Sequence, residues 1–454
     1  MSNSSGIERD SFSGRFAVVA AVAGSAIGLG NIWRFPYLTG ENGGGAFLLV
    51  YLFFVVFVGI PVMTSEFVIG RATQRNPYGA FKKLAPGKPW YLIGIMGVAA
   101  AFMILAFYTV VAGWTLEYFY QSVAGNLSGK NDAELTQMFD GFVKNPFRPM
   151  LWFLVFMGLT AMINFSGVKN GIEKYTKILM PLLLILLIIL CIRSVTLKGA
   201  AAGLTFLFRP DLSKINPQVI LTALGQSFFS LSIGMGTLIT YGSYIKKDEN
   251  LASSASLVVA SDTLIAVIAG IAIFPAVFAL GGSAASGPGL VFIILPSVFQ
   301  NMPLGIFFAT LFFILLALAA LTSTISVLEV IVAFMAEELN MARRKATIIA
   351  TVSVSALGII TALSYGPLAG LKLAGKNVFE LLEYLTSNIM LPLGGLFIVL
   401  FIGWFLNPEL TKNELTNDGK FKGRFLPLFR FLVRYIAPVA IAAVFLYGLG
   451  IIKL

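Results

Sequence analysis

Apolar residues fill runs of about 20 positions that recur along nearly the whole chain, divided by short polar stretches. A run of that length crosses the roughly 30 Å hydrocarbon core of a bilayer as a helix. The pattern predicts about eleven membrane-spanning helices, at residues 15–38, 45–70, 91–121, 150–167, 173–194, 217–244, 255–280, 302–338, 345–365, 380–406 and 428–451. The third and eighth are long enough to tilt or to project beyond the membrane. The N-terminus is polar (MSNSSGIERD) and the first span runs on with no processing site, so no cleavable signal peptide is expected.

Composition agrees with this class. The chain is 57% hydrophobic and 12% charged, with a mean hydropathy of +0.88. Soluble domains are roughly 45–50% apolar and about 25% charged. An all-α polytopic membrane protein is expected, and a soluble enzyme, a disordered chain and a disulfide scaffold are excluded. The chain has no histidine, which removes imidazole metal sites, Ser-His and Cys-His catalysis and histidine proton relays. Its one cysteine, Cys191, lies in an apolar run.

A net charge of +11 could point to nucleic acid, but the distribution argues against it. When the loops are assigned alternately to two sides, one side holds 21 of the 32 Lys and Arg residues. The positive-inside rule places that side, with the N-terminal segment 1–14, in the cytoplasm. An odd number of spans then places the C-terminus outside. The expected partner is the lipid bilayer of the cell membrane, not nucleic acid.

Spans one and six each carry a Gly-x-Gly inside an apolar helix, Gly28-Leu29-Gly30 and Gly234-Met235-Gly236. Glycine is costly in a helix interior and permits unusual backbone angles. Small residues also serve close helix packing in membranes. Here the two breaks open two halves of five spans each, residues 15–196 and 217–406, followed by a last span at 428–451. An odd number of spans inverts the second half relative to the first. Matching breaks in inverted halves mark a transporter binding site near the midplane.

The motifs around these breaks are distinctive. They are GSAIGLGNIWRFP at 24–36, GENGGGAF at 40–47, SFFSLSIGMG with TYGSY at 240–244, DTLIAVIAGIAIFP from 262, and AALTSTISV at 319–327. Over almost its whole length the chain resembles the neurotransmitter:sodium symporter family, in its bacterial amino-acid branch with the leucine-transporter fold. The broken-helix rule was itself drawn partly from that fold.

The resemblance implies an importer that couples sodium to an L-amino acid by alternating access, with two sodium ions. One ion would be held by Ala26, Asn31, Ser230, Asp262 and the substrate carboxylate. The other would be held by Gly24, Ile27, Ala319, Thr322 and Ser323. The substrate would meet Ala26, Gly28, Leu29, Gly30 and Tyr108 at its carboxylate, and Phe229, Ser230 and Ser232 at its ammonium. Ile104, Met235, Ser323, Ser326 and Val327 would complete the pocket with Phe229. Arg34 with Glu383 would close the outer mouth, and Arg9 with Glu337, helped by Ser243 and Tyr244, the inner one. Gly171 and Pro181 in span five would allow partial unwinding beside the second ion.

Asp262 is informative on its own terms, because a carboxylate inside a membrane helix is expensive and marks function by default. The family often has asparagine there, and its chloride-dependent members offer a serine where this chain has Ala266. Asp262 is therefore expected to supply a fixed negative charge in place of chloride. Glu66 and Glu329 are the other intramembrane acids. The resemblance favours a structural role for Glu66 and leaves Glu329 open. The competing readings are a proton-coupled or chloride-dependent carrier of another small amine, and an ion channel. The absence of histidine and of any cysteine pair weighs against an intramembrane enzyme.

Overall fold

The computed structural model describes residues 11–284, 290–448 and 451–452. Nine uninterrupted helices are long and apolar enough to cross a membrane: Gly45–Thr73, Tyr91–Val123, Arg148–Phe165, Val168–Val195, Leu251–Ala279, Gly305–Glu338, Arg343–Tyr365, Val378–Phe405 and Leu426–Ala443. These are spans two to five and seven to eleven. Span one is a pair of helices, Arg15–Ala26 and Gly30–Glu41, bent by 51° at the break. Span six is also divided, into Pro217–Ser230 and Thr237–Gly242. Among the described residues the β structure amounts to one isolated bridge, Leu373 with Lys376.

Local chemistry sets the ends of span six. The Asn216 side chain accepts from the Val219 N–H, and Pro217 stands where its missing N–H costs nothing. The helix stops where Ser232, Gly234 and Gly236 take φ of 55°, 81° and 78°. A run of left-handed residues cannot continue a right-handed helix. Span ten presses on this break. A Cβ on Gly234 would lie 2.5 Å from the Leu391 carbonyl oxygen, and one on Gly394 would lie 2.6 Å from the Gly234 oxygen. Glycine is required here for space as well as for conformation.

Spans three and eight pack along one another at the centre, and the first half of span one lies against spans seven and eight. The most apolar stretch of span three is 67% buried, whereas that of span five is 22% buried. Span five therefore turns much of its surface to lipid. The Tyr91–Val123 and Gly305–Glu338 helices have 33 and 34 residues. At about 1.5 Å per residue they exceed the hydrocarbon thickness, as their sequences predict.

Span five is helical at both residues of the expected hinge. Residues Val168–Glu173 form a wide π-type turn, and the helix Lys174–Val195 continues through Pro181. Gly171 also has a packing reason: a Cβ there would lie 2.2 Å from the Ile163 carbonyl oxygen at the end of span four.

One polar cluster ties the inner ends of several spans together. Arg71, fully buried at the end of span two, meets Glu414 at 2.7 Å and Asn417 at 3.0 Å, and donates to the Glu249 carbonyl at 2.5 Å. Lys247 also pairs with Glu414. Removing one partner of a buried pair costs about 3–5 kcal/mol because the other charge is stranded. Arg71→Ala leaves Glu414 only the exposed Lys247, so it should lower stability by up to about that amount and depress the thermal midpoint of the detergent-purified protein. Lys247→Ala should cost much less, since that side chain is 62% exposed.

Candidate functional site

The two breaks face each other at the centre of the bundle. In span one, Ile27 has ψ of 99°, which ends the first helix and turns its neighbours' backbone groups toward span eight. Gly28 fits there because a Cβ would lie 2.3 Å from Ser323 Oγ and 2.5 Å from the Tyr108 hydroxyl. The Leu29 N–H donates to the Tyr108 hydroxyl at 2.8 Å. The Gly28 N–H donates to Asn31 Oδ1 at 3.1 Å. In span six, the Gly234 N–H donates to Glu66 Oε1 at 2.8 Å. Glu66 thus braces the break, which is the structural role the resemblance implied for it.

A polar cluster gathers three of the residues expected at the first ion. Asn31 Nδ2 donates to Asp262 Oδ1 at 2.8 Å and lies 3.2 Å from Ser230 Oγ. The Ser230 hydroxyl donates to Asp262 Oδ2 at 2.8 Å. All three are buried, as is Ala26. Asn31 turns its donor rather than its carbonyl toward the cluster, so a ligand role requires its carboxamide to rotate. Tyr51, which the sequence reading passed over, points its hydroxyl at Asp262 Oδ2 from 3.4 Å. An aromatic residue in an apolar run reads as packing, and no spacing marks it as polar.

The residues expected at the second ion also meet. The Thr322 hydroxyl donates to the Ala319 carbonyl at 2.9 Å and is 3.4 Å from that of Ile27. The Ser323 hydroxyl reaches the Ser25 carbonyl at 3.1 Å. A Cβ on Gly24 would lie 3.5 Å from the Thr322 Cβ and 3.4 Å from Thr176 of span five. Among the described residues no group of three or more His, Cys, Asp and Glu could hold a metal ion. Carbonyl and hydroxyl oxygens with one carboxylate suit a hard cation.

Between the clusters lies a cavity of about 20 Å³, room for little more than one water. Ala26, Gly30, Ile104, Tyr108, Phe229, Ser232, Met235, Ser323 and Val327 line it, together with Ser25, Leu105 and Thr324, which the sequence reading missed. Gly28, Leu29 and Ser230 stand just behind its wall. Ser326 is turned away, accepting from the Tyr241 hydroxyl at 2.8 Å and donating to the Thr322 carbonyl at 2.9 Å.

The outer mouth corrects one expectation. Arg34 is not ion-paired with Glu383; it donates to Gln226 Oε1 at 3.2 Å and lies over the Phe229 ring at 4.5 Å. Gln226 in turn donates to the Gly30 carbonyl at 2.9 Å. The buried carboxamide and the ring hold the guanidinium, so Arg34 is tied to span six, through Gln226 and Phe229, rather than to Glu383.

At the inner mouth, Arg9 lies outside the described residues. Glu337 accepts from the Asn76 N–H at 2.9 Å. The Ser243 hydroxyl donates to the Thr240 carbonyl at 2.5 Å. Phe12 is fully buried, its ring 5.7 Å from that of Tyr241 and 5.9 Å from that of Tyr244. The Tyr244 hydroxyl donates to Glu329 Oε1 at 2.7 Å, and Arg343 pairs with Glu329 at 2.5 Å. Glu329, left open by the sequence, thus anchors the inner closure from inside span eight.

A model of the sodium:neurotransmitter symporter family matches residues 9–136 and 137–453. The chain belongs to that family. Its members are transporters, not enzymes, and this chain is accordingly a sodium-dependent, multi-pass membrane transporter. It is 40% identical over 439 residues to an uncharacterized sodium-dependent transporter, YhdH, of Bacillus subtilis, with 97% of each chain covered. An uncharacterized sodium-dependent transporter of Haemophilus influenzae is 40% identical over 97% of this chain and 98% of its own. Among solved structures, the crystal structure of MhsT in complex with L-phenylalanine superposes with a TM-score of 0.90. It is 48% identical and covers 97% of this chain and 100% of its own.

The contacts at Gly28 give a direct test of this geometry. Gly28→Ala must displace both Ser323 and Tyr108, at about 1–3 kcal/mol. The thermal midpoint of the detergent-purified protein should fall accordingly. Gly14→Ala, where an added Cβ meets nothing within 4 Å, should leave it unchanged.

Proposed function

We propose that this transporter imports neutral hydrophobic and aromatic L-amino acids by sodium-coupled symport, through alternating access and without need of chloride. The observation that carries the reading is the make-up of the cavity wall. Ile104, Phe229, Met235 and Val327 are apolar, and Tyr108, Ser25 and Ser232 are polar, beside the backbone of the broken helices. No charged side chain lines it, so Lys and Glu have no counter-charge there. The polar groups suit a zwitterion: helix-break amides for the carboxylate and carbonyls for the ammonium. The L-phenylalanine bound by the structural neighbour supports an apolar side chain.

Two ions would enter with the substrate. One would take Asp262, Asn31, Ser230, the Ala26 carbonyl and the substrate carboxylate, which ties ion binding to substrate binding. The other would take Thr322, Ser323 and the carbonyls of Gly24, Ile27 and Ala319. Asp262, with the neutral donors of Asn31, Ser230 and Tyr51 beside it, would supply the negative charge that chloride would otherwise provide. In the cycle, the inverted halves 15–196 and 217–406 rock about this centre, with the N-terminus cytoplasmic and the C-terminus outside. The outer mouth closes with Arg34 and Phe229, the inner one with Phe12, Tyr241, Tyr244 and the Glu329–Arg343 pair.

Met235 sets the size range. Its unbranched thioether repacks around different shapes and contacts aromatic rings favourably, by roughly 0.3–1.5 kcal/mol. In proteoliposomes, a sodium gradient should drive leucine uptake in chloride-free buffer. Leu, Ile, Val, Met, Phe, Tyr and Trp should compete, Gly poorly, and Lys, Glu and monoamines not at all. Met235→Phe should disfavour Trp more than Leu. Competition by Lys or Glu without competition by Leu and the aromatics would sink the pocket reading, and strict chloride dependence would sink the role of Asp262.

The sodium assignment has its own test. Thr322→Ala with Ser323→Ala removes two hydroxyl oxygens, each worth about 1–3 kcal/mol in a site without bulk water. The sodium concentration for half-maximal binding should rise roughly tenfold or more. An unchanged value in the folded double variant would remove both residues from the ion site.

A further inference from the structure

The inner ends of spans ten and eleven hold charge that the transport site does not use. Arg430 and Arg434 stand one and two turns into the apolar helix Leu426–Ala443, roughly 6 and 12 Å past its first residue. An arginine at membrane depth is costly unless an anion or the interface receives it. Among the described residues neither is ion-paired with a carboxylate. Each spends one donor on a carbonyl: Arg434 Nε on Gly403 at 2.6 Å and Arg430 Nη2 on Pro408 at 3.3 Å. Most of each guanidinium's five N–H groups remain for another acceptor.

The two arginines flank a crevice of about 20 Å³ between the spans, the size of one water or one phosphate oxygen. Gly403 opens it, since a Cβ there would lie 3.2 Å from Arg434 Cγ. Thr411, at the floor, is only 3% exposed, and its hydroxyl has no hydrogen-bond partner. Three donor side chains thus border one small space, and its Gly403 and Pro408 carbonyls take only one donor from each arginine and none from Thr411. Around it the surface is apolar and outward-facing: Trp404, Leu428, Phe431 and Tyr435 are exposed, and Arg434 lies 5.5 Å over the Trp404 ring. Lys420, Lys422 and Arg424 stand in the adjoining loop.

We propose that this crevice binds the headgroup of an anionic glycerophospholipid from the cytoplasmic leaflet. Its phosphate accepts from Arg430, Arg434 and Thr411, and its acyl chains lie on the exposed aromatic and aliphatic face of span eleven. A phosphate meets two guanidiniums with short, charge-assisted hydrogen bonds. Basic pockets between membrane helices on the cytoplasmic side take anionic headgroups. The surrounding apolar face selects a lipid over free phosphate. The leaflet rests on the positive-inside reading; the site does not depend on the transported substrate.

Nanodiscs of phosphatidylcholine, doped with brominated phosphatidylglycerol, provide the test. The Trp404 signal is the fluorescence difference between the wild type and Trp404→Phe. Brominated phosphatidylglycerol should quench it at a much lower mole fraction than brominated phosphatidylcholine, and inorganic phosphate should not relieve the quenching. Each arginine near an anionic surface changes affinity by about fivefold, so Arg430→Gln with Arg434→Gln should raise the half-quenching fraction by about 25-fold. Lys420→Gln with Lys422→Gln should change it far less. Equal quenching of the wild type by the two lipids overturns the proposal, and this comparison stands even if the arginine variant does not fold. Relief by inorganic phosphate overturns it in favour of a free-anion site. Equal effects of the lysine and arginine pairs overturn it in favour of diffuse surface charge.

Discussion

The constraint on which this molecule depends is that a membrane leaves no backbone polar group to be satisfied by water. Breaking a helix at the midplane frees amides and carbonyls where an unmet group costs several kcal/mol. The structure answers at the breaks with side chains, most of them from other helices. Leu29 N–H goes to Tyr108, Gly28 N–H to Asn31 and Gly234 N–H to Glu66. The Gly30 carbonyl is met by Gln226, and the Ser25 carbonyl by Ser232 and Ser323. The polar residues of the core are therefore what makes two broken spans tolerable in lipid.

The same groups are the ones a guest can borrow. A hydroxyl or carboxamide that meets a backbone group in this compact arrangement has lone pairs for a cation once it turns, and a carbonyl released by a hydroxyl can face an ammonium. Neither exchange requires a new charge in the bilayer. The cavity, with room for about one water, is the closed form of that arrangement, and admitting any larger guest means parting the breaks. Spans three and eight pack along one another at the centre, beside the braced breaks at Gly28 and Gly234.

Much of this was legible in the sequence. The spans followed from hydropathy, and the breaks from two glycine pairs in matching places. Asp262 stood out because a carboxylate is rare in an apolar run, and Asn31 and Ser230 do meet it. What escaped were partnerships fixed by helix rotation. Spans of this kind are apolar nearly all round, so no polar stripe marks the inner face. Tyr51, Ser25 and Gln226 read as packing or as ordinary polar positions. Arg343 lies 14 residues from Glu329 on another helix, a pairing no periodicity links. Arg34 and Glu383 looked complementary as charges, yet Gln226, an uncharged residue on the same side of the site, holds the guanidinium. At Gly171 the sequence showed a residue that loosens helices but not the close neighbour that also calls for glycine there, the Ile163 carbonyl.

The seat of Phe12 also has a bearing on how the chain is made. Its backbone N–H donates to the Tyr244 carbonyl, and its ring is enclosed by Tyr241 and Tyr244. Those partners leave the ribosome about 230 residues later, which at roughly 5–20 residues per second is a delay of about 10–50 s. Ser13 waits similarly for Glu173 of span five. The segment around Phe12 is thus committed only after the sixth span has been synthesised and inserted. Assembly of this closure is a late event of biogenesis, sealed by residues translated well before their partners.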